Sequence, residues 1–143
     1  MRSSTTLLVT LALSACALVA AAPVSRLRVT HRDLVPMCLD GRPVPAGTRG
    51  WDLEPGHVSL VFSMRVDPRP GQTVTEPGMA AIGFTAEANH RYEVEVRADP
   101  MAFSTRAWRA REWTPVVRDR TVDRIVSSDP QWVASPCHGV RHH

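Results

Sequence analysis

Val58-Ser59-Leu60-Val61-Phe62-Ser63-Met64 decides the fold class of this chain. Val58, Leu60, Phe62 and Met64 occupy every second position, the period of a strand, while Ser59, Ser63 and Arg65 take the alternate positions. The pattern predicts four buried apolar side chains on one face and Ser59 and Ser63 pointing outward. A slip of one residue would send the whole apolar set into water. Just before it, Glu54-Pro55-Gly56-His57 places Pro and Gly at the central positions of a type II turn.

The same period recurs on both sides. Leu27, Val29 and His31 alternate with Arg26, Arg28, Thr30 and Arg32. Leu34 to Leu39 follows, and Asp40-Gly41 then separates it from Arg42-Pro43-Val44. Asp-Gly between apolar flanks predicts a type I′ hairpin, in which both central residues need positive φ. Pro36 and Pro43 lack the amide that a ladder requires, which places this hairpin at a sheet edge. Asp67-Pro68-Arg69-Pro70-Gly71 breaks the pattern and opens a loop to about Gly78. Met79 to Phe84 then predicts a buried strand, Ala86 to His90 a turn, and Tyr92, Val94 and Val96 a further strand against Glu93, Glu95 and Arg97.

The last third admits two readings. Ser104 to Arg111 has helix propensity without an apolar stripe, and Thr114-Pro115 would open a helix as N-cap and first residue. The β-branched Val116, Val117, Val122, Ile125 and Val126 favour a strand from about Glu112, a turn over Asp119 to Asp123, and a return at Arg124 to Val126. Short strands with turn signals every 8 to 12 residues, about seven to nine in all, predict a small all-β sandwich of mostly antiparallel strands spanning about 26–137.

Two resemblances extend this reading. Leu39-Asp40-Gly41-Arg42-Pro43-Val44 followed by Leu53-Glu54-Pro55-Gly56-His57-Val58 resembles the short β modules called PEGA domains, and Phe84 to Tyr92 resembles a strand entry found in similar envelope lipoproteins, with Asn89 where Gly is usual. That resemblance implies a fold and no catalytic residues. At the N-terminus, Arg2 and the uncharged Leu7 to Leu13 make an export signal. Leu13-Ser14-Ala15-Cys16 resembles the lipobox of bacterial lipoproteins. It implies a signal peptide over 1–15, a lipid on Cys16, a tether over 16–25 and attachment to the membrane of the bacterial cell envelope, facing the periplasm or exterior. Val19-Ala20-Ala21 offers a rival cut after Ala21 that would release a soluble periplasmic protein, and an uncleaved anchor is the third outcome.

With the signal removed, about 125 residues remain, enough for one core. Every basic residue is Arg, and the formal net charge of +3 is too small an excess to suggest nucleic-acid binding. If Cys16 carries lipid, Cys38 and Cys137 form an even pair in an oxidising compartment, which predicts a disulfide, with two unpaired thiols as the alternative. The 138–143 tail, with His138, His142 and His143, matches no zinc spacing and is expected to be unstructured, so no metal and no cofactor are expected.

No nucleophile elbow, metalloprotease helix or phosphate loop occurs in the sequence. His57 and His90 are expected as exposed turn residues rather than general bases. Trp108, Arg109, Arg111 and Trp113 interleave aromatic and guanidinium groups and make a candidate patch for an anionic or glycan ligand, or for another envelope protein. The alternative fills the core with the tryptophans and covers its rim with the arginine stems. The expected function is non-catalytic, a binding or scaffolding module, with an enzyme whose site assembles only in the fold as the remaining alternative.

Overall fold

The computed structural model describes residues 23–65, Pro70, 78–98 and 113–137, and ten strands without a helix lie among them. They are β1 (Ser25–Val29), β2 (Leu34–Leu39), β3 (Arg42–Pro43), β4 (Gly50–Leu53), β5 (Gly56–Met64), β6 (Met79–Ala86), β7 (Arg91–Ala98), β8 (Trp113–Asp119), β9 (Arg124–Ile125) and β10 (Gln131–Val133). Sheet A has the order β4-β1-β7-β8-β9, and sheet B the order β10-β6-β5-β2-β3. All pairings are antiparallel except β1 with β7. The small all-β sandwich is therefore the fold, and its count passes nine because β3, β9 and β10 are only two or three residues long.

The core forms where the inward faces of the two sheets meet. Val58, Leu60, Phe62 and Met64 of β5 are all buried there, as their alternation requires. Opposite them, sheet A contributes Leu27, Val29, Tyr92, Val94, Trp113 and Val117. Strand β8 runs from Trp113, so the β-branched residues prevailed over the Thr114-Pro115 helix start. The segment Ser104 to Arg111 lies outside the described residues, as does most of the loop after Asp67.

Turn chemistry sets the connections. Asp40 (φ 47°) and Gly41 (φ 77°) both take the left-handed conformation that a type I′ turn demands, and β3 is indeed an edge strand. Asn89 (φ 62°) supplies the positive φ where the chain crosses from β6 in sheet B to β7 in sheet A. The last of the crossings between sheets runs from β9 to β10. There Ser127 Oγ accepts the amide of Val117 in sheet A, and Ser128 Oγ accepts the amide of Gly83 in sheet B. Ser25, assigned to the tether by sequence, is instead fully buried as the first residue of β1 and donates its hydroxyl to Leu53 O.

The outer face of sheet B is covered, which alternation does not show. Ser59 is 7% exposed and Ser63 is half-buried, although both point to the outer face as predicted. That face of sheet B carries a second apolar cluster of Cys38, Val61 and Ala81, with Met37, Met79, Val133 and Cys137 packed on it. A break in register between Pro36 and Cys38, opposite Phe62 and Val61, is what aims Cys38 outward while Leu39 stays against the core. Cys38 and Cys137 form a disulfide with Cα atoms 5.6 Å apart, inside the range such bonds take. Residues leading to Cys137 thus lie over sheet B, and alternation alone does not reveal a covered outer face.

Candidate functional site

Of the sequence-predicted patch only Trp113 lies among the described residues, and it is not on the surface. Trp113 is fully buried, because the β7–β8 register sets it opposite Ala98 on the same inward face as Pro115 and Val117. Its ring packs edge-on against Trp132 at 5.2 Å and 84°. Trp108, Arg109 and Arg111 lie outside the described residues, as do Cys16, the rival cleavage site at Ala21 and the histidine tail. The core alternative for Trp113 is the one the fold realises.

The arginine concentration lies instead on the outer face of sheet A. There β4, β1 and the start of β7 form the floor of an open groove of about 900 Å³. Arg26, Arg28, Arg49, Arg91 and Arg120 line it, with Asp52 and Glu93 as its carboxylates. This composition follows from strand alternation: Leu27 and Tyr92 go inward, so Arg26, Arg28, Arg91 and Glu93 must go outward. The parallel register sets Arg26 beside Arg91 and Arg28 beside Glu93. Gly50, opposite Arg28 on the edge strand, contributes no side chain and keeps the groove open there.

The five guanidinium groups are not equivalent. Arg26 pairs with Asp52 at 3.6 Å and Arg120 with Glu93 at 3.4 Å. Arg49 donates to the carbonyls of Leu34 and His31, which holds it in place and leaves its charge uncompensated. The side chains of Arg28 and Arg91 have no ion pair or hydrogen bond among the described residues. Five cations against two carboxylates leave a local excess of three, as large as the formal net charge of the whole chain. Such an excess on a solvated face attracts anions, and planar guanidinium forks match carboxylate or phosphate oxygens in pairs.

A second polar cluster sits where β6 crosses to β7. Asp119 is 2% exposed, and its Oδ2 lies 2.6 Å from His90 Nδ1, while the Thr121 amide donates to Oδ1 at 2.9 Å. Burial alone would raise the Asp119 carboxyl, but the hydrogen bonds from His90 and Thr121 prevail and hold it below the ordinary value. His90 Nε2 faces Glu87 Oε2 at 3.4 Å, and its ring stacks on Tyr92 at 6.1 Å. The Tyr92 hydroxyl in turn accepts the Glu87 amide at 2.8 Å, and burial pushes the phenol up. His90 is therefore a partly buried clasp residue rather than the exposed turn residue expected from sequence. An imidazole held by a carboxylate is half of a general-base arrangement, but here its other nitrogen is directed at a second carboxylate, and among the described residues no nucleophile is seated on it. His57 is exposed at the start of β5 with its ring over Gly83.

Among the described residues no group of three or more metal-type ligands converges. None of the described helices is long and apolar enough to span a membrane, since the described residues are strands and turns. Comparison with protein-family models, with characterised proteins and with solved structures gives no match.

The signal for the groove was half present in the sequence. The Arg26, Arg28 alternation marks one outward basic face on β1. Arg49 joins it through the antiparallel β1–β4 pairing, and Arg91, with Arg120 beside it, through the parallel β1–β7 pairing across more than sixty residues, which no local pattern encodes.

Proposed function

We propose that this protein is a non-catalytic binding module of the bacterial cell envelope, exported and held to the membrane by a lipid on Cys16. The observation that carries the binding half is the groove on sheet A, where Arg28 and Arg91 present guanidinium groups with no partner among the described residues. Guanidinium groups compensated within the protein serve stability, whereas groups left open on a concave face are available to a ligand. The envelope half rests on the lipobox-like Leu13-Ser14-Ala15-Cys16 and is supported by the Cys38–Cys137 disulfide, a bond that persists in oxidising compartments. The Asp40-Gly41 hairpin and the β5 entry at Gly56 agree with a PEGA-like module, and we carry that family reading as part of the proposal.

Cys16→Ser tests the address. Intact-mass measurement of the native mature protein should show a diacylated N-terminus at Cys16, and the variant should leave the membrane fraction. A native protein beginning after Ala21 without lipid would replace the anchored reading by the soluble one. Ligand binding, taken up next, tests the module's activity separately.

A further inference from the structure

We infer that the groove over Gly50 on sheet A is a binding site for an acidic oligosaccharide, a sugar chain bearing carboxylate groups such as uronates. The inference rests on the binding-module reading and names its ligand class. Two features of the groove select this class. First, Arg28 on β1, Arg49 just before β4 and Arg91 at the start of β7, which pair with no carboxylate among the described residues, are spread over the sheet rather than gathered at one point. Adjacent strands are about 4.8 Å apart and alternate residues on a strand about 6.6 to 6.8 Å apart, so the charges form an array suited to a ligand with repeated anionic groups. A single small anion would engage only part of it.

Second, Asp52 and Glu93 stand among the cations, in ion pairs of 3.6 and 3.4 Å with Arg26 and Arg120. Carboxylates in the lining repel a bare polyphosphate or a nucleic-acid backbone. They accept hydrogen bonds from the hydroxyl groups that a sugar carries between its carboxylates. Openness also fits. The groove is a trough on a sheet face, and a chain can lie along it without threading.

Gly50 supplies the sharpest test, because it leaves every charge untouched. A Cβ there would meet nothing closer than Leu27 O at 3.4 Å, so a side chain can be added without displacing backbone. Gly50→Leu should fold and fill the floor of the groove.

The experiment is calorimetric titration of the full-length Cys16→Ser protein with a defined oligogalacturonate, beside neutral dextran oligomers, inorganic phosphate and phosphatidylglycerol vesicles. Using Cys16→Ser separates this outcome from the fate of the lipid anchor, which the fractionation experiment reads independently. Oligogalacturonate should bind and weaken as salt is raised, with no binding of dextran. Arg28→Ala and Arg91→Ala should each lower affinity by roughly tenfold, the loss of about one charge-assisted contact. Gly50→Leu should lower it at least as much, while Arg118→Ala, on β8 of the same face but outside the groove lining, should leave it unchanged. No binding of oligogalacturonate at millimolar concentration overturns the inference. So does binding indifferent to Gly50→Leu and Arg91→Ala, and so do phosphate or vesicles binding equally well, which would mark a plain anion or membrane surface.

Discussion

The two outer faces of the sandwich come from the same alternation and end in opposite states. On sheet A the outward positions of β1 and β7 are Arg26, Arg28, Arg91, Glu93, Glu95 and Arg97, and they remain in contact with water as an arginine-rich trough. On sheet B the outward positions of β5 include Ser59 and Val61, and both are buried beneath a small apolar cluster closed by Cys38–Cys137. The difference lies in what crosses each face. The chain's last described residues return over sheet B and are fastened there, whereas among the described residues nothing apolar packs on the outward arginines of β1 and β7. One face is covered, and the other is left open among the described residues.

Removing the fastening should have the largest effect. Cys38→Ser with Cys137→Ser opens a loop whose ends are 99 residues apart, worth about 4.7 kcal/mol in the chain-entropy model, with about 2 to 5 kcal/mol typical of native disulfides. Denaturant melts of the double variant should show that loss. A midpoint equal to wild type would mean that sheet B is covered without need of the bond.

Next comes the core shared by both faces. Phe62→Ala should cost about 3 to 5 kcal/mol, because its fully buried ring leaves a cavity between the sheets. Ser63→Ala, one residue on, loses a single half-buried hydrogen bond to Gly78 O and should cost under about 1 kcal/mol. Equal midpoints for the two would contradict the register of β5.

A smaller and pH-dependent effect belongs to the clasp between the sheets. The Asp119 carboxyl titrates below its ordinary value in the folded state. Its contribution to stability is therefore fully present above the unfolded carboxyl value, near 3.9, and is lost as pH falls through the lower folded value. His90→Ala removes the group that outweighs burial there and should cost about 1.5 to 3 kcal/mol at neutral pH. It should also flatten the acid limb of the stability profile. An acid limb unchanged in the variant would show that the pair does not govern Asp119.

The smallest stability effects are expected on the open face. Arg118 bridges Glu95 at 3.1 Å and Asp123 at 3.4 Å, all of them in partial or full contact with solvent. Arg118→Ala should cost about 1 kcal/mol or less. Arg91→Ala, which breaks no ion pair, should be neutral in melts while weakening ligand binding.

How much of this was legible in the sequence depends on the range of the interactions involved. Period-two runs at β1, β5 and β7, the Asp40-Gly41 turn and the β-branched run of β8 are local signals, and each resolved correctly. The Cys38–Cys137 pair was legible by counting. Burial of Ser59, the inward turn of Trp113 and the His90–Asp119 contact were not, since each depends on which segment arrives from far along the chain. The groove shows the same limit: its β1 residues alternate visibly, and its remaining residues are placed beside them by the nonlocal pairings of β1 with β4 and with β7.

Backbone amide NMR of the native, lipid-free protein titrated with oligogalacturonate tests the contrast between the faces most directly. The account predicts shifts concentrated on Arg28, Gly50 and Arg91 and their neighbours in β1, β4 and β7, with Ser59, Val61 and Ala81 of sheet B unmoved. Shifts centred on sheet B, or spread evenly over both faces, would contradict it.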